Sequence, residues 1–117
     1  MFFRGIPSQI YLATGSTDMR KSINGLSILV AEQLEHDPLS GQFFCFCNRN
    51  RSIIKILYWE HNGFCLWSKR LEKDRFKWPQ SEEEVVSVER RELFWLLDGL
   101  SLTQVDAHKQ LHYTTMI

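Results

Sequence analysis

Residues 55–71 read KILYWEHNGFCLWSKRL, and this stretch decides the fold. Asn62 and Gly63 separate two runs that are rich in aromatic and β-branched side chains. A two-residue hairpin turn of type I′ needs a positive φ at both central residues, which Asn and Gly tolerate best. The stretch therefore predicts a β-hairpin with Asn62 and Gly63 at its turn.

The turn also predicts a register for the hairpin. If His61 faces Phe64, counting outward places Lys55 opposite Arg70. Like charges that face each other destabilise a sheet. The pair therefore indicates either an anionic partner or long side chains that splay into water.

Three strands of an antiparallel meander are predicted at Phe43–Asn48, Ile53–His61 and Phe64–Leu71. If Asn48 faces Ser52, one face forms the core under the first helix. This face comprises Phe44, Phe46, Ile54, Ile56, Tyr58, Cys65, Trp67 and Leu71. The opposite face carries Phe43, Leu57, Trp59 and Leu66 beside charged residues. So much apolar surface indicates a cover, either the tail of this chain or a partner.

Two helices flank the meander. A weakly alternating strand at Ser8–Thr14 precedes a helix at 18–35, with Ser16, Thr17 or Asp18 as its cap. Apolar residues at steps of three and four define its core face: Met19, Ile23, Leu26, Val30 and Leu34. A second helix is expected near 87–98. The sequence thus predicts one α+β domain over residues 1–117, an antiparallel β-meander of three or more strands packed by an N-terminal helix, with a second C-terminal helix.

The composition is that of a packed globular protein. The chain has 117 residues, of which 44% are hydrophobic, with eight Phe and four Trp. This argues against disorder. No apolar run is long enough to span a membrane. Three cysteines, an odd number, fit a reducing compartment. We therefore expect a cytoplasmic protein without a membrane contact.

Charge is unevenly distributed although the net charge is zero. Residues 1–81 hold eleven Lys and Arg against seven Asp and Glu, while residues 82–117 hold three against seven. Within residues 49–77 the counts are eight against three. The sequence therefore predicts a basic β region followed by an acidic helical region. A charged partner interacts with the local charge of such a region and not with the net charge of the chain.

The basic β region makes nucleic acid the first candidate ligand. Ten cations could contact phosphates, and such binding depends strongly on salt. They are Arg20, Lys21, Arg49, Arg51, Lys55, Lys69, Arg70, Lys73, Arg75 and Lys77. Trp59 and Trp78 could stack on unpaired bases. The alternative is that these cations are ordinary solvated side chains and that the tryptophans belong to the core.

Other candidate sites are weaker. Thr14–Thr17 before a helix could hold a phosphate, but helix capping explains it. Cys45 and Cys47 lie on the face opposite Cys65 in the predicted register, so buried apolar thiols are expected and not a zinc site. His108 and His112 read as part of a solvated tail. The aspartates are scattered, which excludes the carboxylate cluster of a strand-transfer enzyme. We predict no catalytic residue, no metal and no cofactor.

Seven spaced motifs carry a family resemblance. They are Ile10–Gly15, Thr17–Lys21, Asn24–Leu26, Asp37–Gly41, Phe46–Arg49, Lys55–Leu71 and Arg75–Pro79. Together the motifs resemble the TnpB accessory proteins, the second open reading frame products of bacterial insertion-sequence family sixty-six. The resemblance covers about residues 8–100. It implies an auxiliary factor that acts beside a separate transposase and offers no catalytic residue to carry over.

The C-terminal region departs from the resemblance. Relatives often end in an Arg-rich tail, whereas residues 101–117 form a divergent tail whose basic residue is Lys109. A DNA contact would then depend on the basic sheet. We therefore expect a non-catalytic accessory factor in transposition that binds element DNA, the transposase, or both. Phe43, Leu57, Trp59, Leu66 and Trp78 are the candidate partner-binding residues. The alternative is a protein-interaction module that assembles the transposition proteins without DNA contact.

Overall fold

Within the described residues, a five-stranded mixed sheet lies between two helices. The computed structural model describes residues 5–7 and 9–102. The elements in chain order are β1 (Gln9–Ser16), α1 (Ile23–Glu32), β2 (Phe43–Cys47), β3 (Ile53–Glu60), β4 (Gly63–Arg70), β5 (Val85–Glu89) and α2 (Arg90–Leu97). The strands lie in the order β4-β3-β2-β1-β5. β1 and β2 are parallel, and the other neighbouring pairs are antiparallel.

The α+β class is confirmed, but the prediction of a purely antiparallel meander is wrong. The first helix follows the first strand and returns the chain across the sheet, so β2 pairs with β1 in the same direction. β5 was not predicted. Its Val85, Val86 and Val88 favour a strand, which continues to Glu89. There Glu89 and Glu92 form a capping box that starts α2.

Both helices are shorter than predicted. α1 begins at Ile23, and the side chain of Ser22 accepts a hydrogen bond from Gly25 N at 3.5 Å. The predicted cap at Ser16, Thr17 or Asp18 is therefore wrong. Among the described residues, no helix has the length and apolar character needed to cross a membrane.

The hairpin of β3 and β4 is confirmed, but its register differs from the prediction by two residues. Glu60 pairs with Gly63, so the turn consists of His61 and Asn62, and His61 has a φ of 57°. Side chains alternate with a period of two, so a two-residue shift keeps each of them on its predicted face. Lys55 and Arg70 do not face each other, because Lys55 pairs with Ser68 and Arg70 with Ile53.

The register of β2 against β3 differs from the prediction by one residue. Cys45 pairs with Ile56, and Phe44 pairs with Leu57. A one-residue shift moves every side chain of a strand to the other face. Phe44 and Phe46 therefore share a face with Leu57. Phe43 lies on the opposite face, with Ile54 and Ile56, where Phe44 and Phe46 were predicted.

Helices cover both faces of the sheet. α1 packs Leu26 and Val30 against Phe44, Phe46 and Leu57, the face that was predicted to need another cover. The face with Ile54 and Ile56 was predicted to lie under the first helix. It lies instead under α2, through Leu93, Leu96 and Leu97, and forms the larger part of the core. Each fully buried aliphatic side chain contributes roughly 1.5–3 kcal/mol to this packing.

Candidate nucleic-acid interface

Strand directions bring three basic segments to one end of the sheet. β1, β2 and β4 end there, and β3 begins there. Backbone hydrogen bonds join the connecting segments. Thr17 N donates to Cys47 O at 2.9 Å, and Leu71 N donates to Ser52 O at 2.9 Å. We call this region the basic end; it comprises residues 17–22, 48–55 and 69–77. The opposite end, with the His61-Asn62 turn, is the hairpin end.

The loop between β2 and β3 presents two of the arginines. Asn48 Oδ1 accepts hydrogen bonds from the backbone N–H groups of Ser52 (2.8 Å) and Ile53 (3.0 Å). Its Nδ2 also donates to Ser52 Oγ at 3.0 Å. Arg51 takes a φ of 58° and donates to Asn48 O. The loop is therefore held from inside by Asn48, and Arg49 is left exposed.

Residues 72–78, which we call the strap, leave β4 and cross the basic end toward β1. Phe76 N donates to Arg51 O at 2.8 Å, and the indole Nε1 of Trp78 donates to Ala13 O at 2.8 Å. Two hydrogen bonds thus fix the strap to the β2–β3 loop and to β1.

The strap displays cations because its aromatic side chains are inside. Phe76 and Trp78 belong to the core under α2 and are 2% and 7% exposed. Successive side chains of an extended segment point in opposite directions. Arg75 and Lys77 therefore face outward and are exposed, as is Lys73.

Two of the predicted DNA-binding cations have structural partners. Lys55 Nζ donates to Met19 O at 2.8 Å, and Lys69 Nζ donates to Leu97 O at 2.9 Å. Lys55 holds the segment before α1 onto the sheet, and Lys69 holds the end of α2. Both ammonium groups can add to the field of the basic end without leaving these carbonyl groups.

Two further cations form exposed ion pairs. Arg20 binds the carboxylate of Asp18 with two nitrogens, and the shortest distance is 2.7 Å. This contact lowers the pKa of Asp18 to about 2. Arg70 lies 3.4 Å from Glu72. Exposed pairs of this kind contribute little free energy and can be exchanged for a phosphate.

Five cations of the basic end make no side-chain hydrogen bond or ion pair with any residue in the described ranges 5–7 and 9–102. All five are exposed. They are Lys21, Arg49, Lys73, Arg75 and Lys77. The acidic residues of the same segments are Asp18, Glu72 and Asp74. The basic end therefore carries an excess of positive charge that is available to an anionic partner.

The structure separates the predicted partner-binding residues. Phe43, Leu57 and Trp78 are 1%, 0% and 7% exposed, so in this fold they belong to the core and offer no contact surface. The one-residue shift of β2 explains Phe43, and the cover by α1 explains Leu57. Trp59 and Leu66 are half-buried on the α1 side of β3 and β4, so the partner-binding prediction retains these two residues.

No aromatic side chain is exposed on the described segments that carry the cations. Their aromatic residues are Phe76 and Trp78, and both are buried. Trp59 lies near the hairpin end, where it packs edge-on against Phe64 with ring centroids 5.1 Å apart. The two tryptophans predicted to stack on bases are thus unavailable at the basic end.

An acidic cleft, which the sequence did not predict, lies beside the basic end. Its volume is about 420 Å³, and its walls are residues 13–17, 80–84, Leu29, Gln33 and Leu34. Thr14 joins two of these walls, because its backbone N–H donates to Glu84 O at 3.0 Å and its hydroxyl donates to Glu83 O. The available signal was the run of three Glu at 82–84. The negative charge of these three carboxylates disfavours binding of a phosphate at Thr14–Thr17.

The three cysteines share one face of the sheet, contrary to the predicted register. Cys45, Cys47 and Cys65 all lie on the α2 side. Burial raises the pKa of the Cys45 and Cys47 thiols, which favours the neutral form. Over the described part of the chain, no three His, Cys, Asp or Glu residues are placed to hold a metal ion. His108 and His112 lie outside the described residues, as does Lys109.

A model of the protein family described as IS66 Orf2 like protein matches residues 8–107. The chain belongs to this family. The family is associated with transposition through its insertion sequence, and the match confirms the resemblance drawn from the spaced motifs.

Two relatives of the IS66 Orf2 like chain occur in Sinorhizobium fredii (strain NBRC 101917 / NGR234). The uncharacterized protein y4hO is 37% identical over 92 residues, which cover 79% of this chain and 80% of y4hO. The uncharacterized protein y4jC is 32% identical over 97 residues, which cover 83% of each chain. No solved structure matches the chain.

Proposed function

We propose that this protein is a non-catalytic accessory factor of insertion-sequence transposition that binds the phosphate backbone of element DNA through its basic end. One observation supports the proposal above the others: three segments that are distant in sequence converge and present five unpaired cations together. The protein would act in the cytoplasm beside the transposase of the same element.

The nucleic acid in this proposal is duplex DNA bound through its backbone. Recognition of unpaired bases uses exposed aromatic side chains as stacking platforms. The described basic segments offer cations and buried aromatic residues instead. Phosphate contacts position a protein on DNA but carry no sequence information themselves. We therefore expect weak discrimination between element-end and scrambled duplexes.

Salt dependence tests the DNA contact. Each neutralised phosphate contributes about −0.9 to the slope of log affinity against log salt, so five contacts predict a slope near −4.5. Fluorescence anisotropy of labelled duplexes, with element-end and scrambled sequences, measures this slope. The triple variant Arg49→Ala, Arg75→Ala, Lys77→Ala should reduce its magnitude by about 3.

A control variant removes two cations elsewhere. Arg90 and Arg91 begin α2, where β5 ends beside the start of β1, at the hairpin end of the sheet. The variant Arg90→Ala, Arg91→Ala should leave the slope of the salt dependence unchanged. If the triple variant and this control weaken binding equally, the basic end is not the DNA-binding surface.

The alternative function is a protein-interaction module that binds the transposase without touching DNA. The half-buried Trp59 and Leu66 favour it, because they are apolar and partly accessible on the edge strand β4 and its neighbour β3. Under this alternative, we expect transposase binding that depends little on salt concentration and is lost in Trp59→Ala or Leu66→Ala. Absence of duplex binding together with this pattern would replace the DNA proposal by the alternative.

A further inference from the structure

The acidic cleft beside the basic end has the chemistry of a binding site for a cationic side chain. Its rim is formed by Glu82, Glu83 and Glu84, which are exposed. These three carboxylates form no ion pair with any residue that the structure describes. Such a concentration of unpaired negative charge attracts a cation and repels the DNA backbone.

The end of α1 adds to the negative potential of the cleft. Leu29, Gln33 and Leu34, at and just beyond the last turn of this helix, line the cleft. The C-terminal end of a helix carries a partial negative charge, and a cation near it is stabilising. The last turn of α1 contains no basic residue to satisfy this preference.

Thr17 provides a second and independent indication of a ligand. This residue is 7% exposed and lines the cleft. Its backbone N–H is bonded to Cys47 O. Its hydroxyl, however, has no hydrogen-bond partner within the described ranges. The described buried side-chain atom without a partner is Gln42 Oε1, so the Thr17 hydroxyl is reachable from outside, and a donor entering the cleft can bond to it.

The floor of the cleft is apolar. Ala13 and Leu34 are 5% and 7% exposed, and Leu29 is half-buried beside them. Arg and Lys bury their aliphatic stems along apolar surface while the charged group reaches polar partners. An apolar floor under an acidic rim therefore fits one long basic side chain. The volume of about 420 Å³ lies in the range of ligand pockets, so flanking peptide can enter as well.

We propose that this cleft binds an arginine side chain from a basic segment of a partner protein. The planar guanidinium has five N–H donors, which suit the several acceptors here better than a compact ammonium does. The carboxylates of residues 82–84 pair with the guanidinium, Thr17 Oγ accepts one hydrogen bond, and the methylenes pack on Leu29 and Leu34. The site is separate from the proposed DNA contact, which it does not require.

Peptide binding tests the site. The probe is a fluorescent Gly- and Ser-rich peptide with three arginines, and the matched probe carries citrulline, which is isosteric and neutral. We expect the arginine peptide to bind and the citrulline peptide to bind at least tenfold more weakly. Thr17→Val removes the acceptor at nearly constant shape and should weaken the arginine peptide about fivefold, whereas Thr17→Ser should restore it.

A charge-matched pair of triple variants separates the cleft from general electrostatics. Glu82→Gln, Glu83→Gln, Glu84→Gln should weaken the arginine peptide at least tenfold. The control Asp37→Asn, Glu60→Gln, Glu89→Gln removes the same charge near the hairpin end and should stay within about twofold. Equal losses in the two triple variants, or equal binding of the arginine and citrulline peptides, would overturn the proposal. Circular dichroism confirms that each variant is folded.

Two further measurements identify the occupant. Sedimentation of the protein alone tests whether a second copy fills the cleft: self-association that is lost in Glu82→Gln, Glu83→Gln, Glu84→Gln would replace the partner segment by a second copy. Duplex binding by the same variant should be retained or tightened. Loss of peptide binding with retained DNA binding therefore distinguishes this site from the proposed function.

Discussion

The strap and the acidic connector that follows it, residues 80–84, are adjacent in sequence and opposite in charge. Lys73, Arg75 and Lys77 extend from the strap, whereas the connector carries three consecutive Glu. Neither segment contains a helix or strand. The strap is bonded to the β2–β3 loop at Arg51 O and to β1 at Ala13 O, whereas the connector is bonded to β1 at Thr14.

This difference shows how the fold places basic and acidic side chains on separate surfaces. The strap passes beside the basic β2–β3 loop, and its cations add to those of Arg49 and Arg51. The connector passes between β1 and the end of α1, where its carboxylates line a cleft. Two surfaces of opposite sign therefore lie side by side at one end of the sheet. Neither surface is formed by a continuous stretch of sequence.

Removing Trp78 should have the largest effect, because this residue ends the strap and precedes the connector. Trp78→Ala loses a nearly buried indole and its hydrogen bond to Ala13 O, at a cost of about 3–5 kcal/mol in the free energy of unfolding. Urea denaturation measures this cost. Trp59→Ala, at a half-buried position, should cost clearly less. Equal costs would show that the strap is not anchored through its tryptophan.

Loss of the Asn48 side chain should loosen the loop to which the strap is bonded. Asn48→Ala leaves the N–H groups of Ser52 and Ile53 without their acceptor and should cost about 2 kcal/mol of stability. Asn50→Ala, on an exposed side chain in the same loop, should change stability by about 0.5 kcal/mol or less. Thermal unfolding of both variants checks the prediction. An equal decrease of the two midpoint temperatures would contradict it.

Exchanging the charges of the two segments should change duplex binding in opposite directions. Arg75→Glu with Lys77→Glu should weaken binding by at least about tenfold, equivalent to about 1.4 kcal/mol. Glu82→Lys with Glu84→Lys should tighten it and abolish binding of the arginine peptide. Anisotropy titrations at one salt concentration measure both variants. A change of the same sign in both would mean that the two surfaces do not act separately.

The attachment of the connector to β1 should make a smaller contribution. Thr14→Val keeps the shape of the side chain but removes the hydrogen bond to Glu83 O, and it should cost about 1 kcal/mol in urea denaturation. Thr14→Ser keeps the hydroxyl and is the control for the lost bond. The same stability loss in both variants would assign the effect to packing instead of the hydrogen bond.

The smallest expected effect concerns Asp18 at the basic end. Arg20 lowers the pKa of this carboxyl from 3.8 to about 2. A group whose pKa is lower in the folded state stabilises the protein above its unfolded pKa, and this contribution is lost as pH falls from about 4 through about 2. A carbon-detected NMR titration should show the depressed midpoint. In Arg20→Gln the midpoint should rise toward the ordinary value; a midpoint unaffected by this change would contradict the pairing.

Local sequence patterns predicted the elements well where the signal depended on near neighbours. The strands of the meander and the amphipathic helix through Leu26 and Val30 appear close to their predicted positions. Alternation and helical periodicity report burial within one element. The cations on Arg49, Arg75 and Lys77 were also identified from sequence, although their convergence was only a hypothesis.

Register was the point at which sequence reasoning failed. The side chain of Asn48 closes the β2–β3 loop with bonds to Ser52 and Ile53, and this moved the pairing by one residue. That single shift placed Phe43 in the core under α2 and moved Phe44 and Phe46 under α1. β5 was missed because residues from 87 onward were assigned to the second helix, although Val85, Val86 and Val88 favour a strand; the pairing with β1 decides between the two.

The sequence by itself determined where the strands of the meander and the core of the first helix form, that the chain has an apolar core, and that its charges are segregated. Those properties follow from neighbours within a few residues. Only the tertiary structure decided that β2 runs parallel to β1, which face each helix covers, and that the strap and the connector present opposite charges at one end of the sheet. These properties depend on hydrogen bonds between residues far apart in the chain, such as Trp78 with Ala13, which no local pattern encodes.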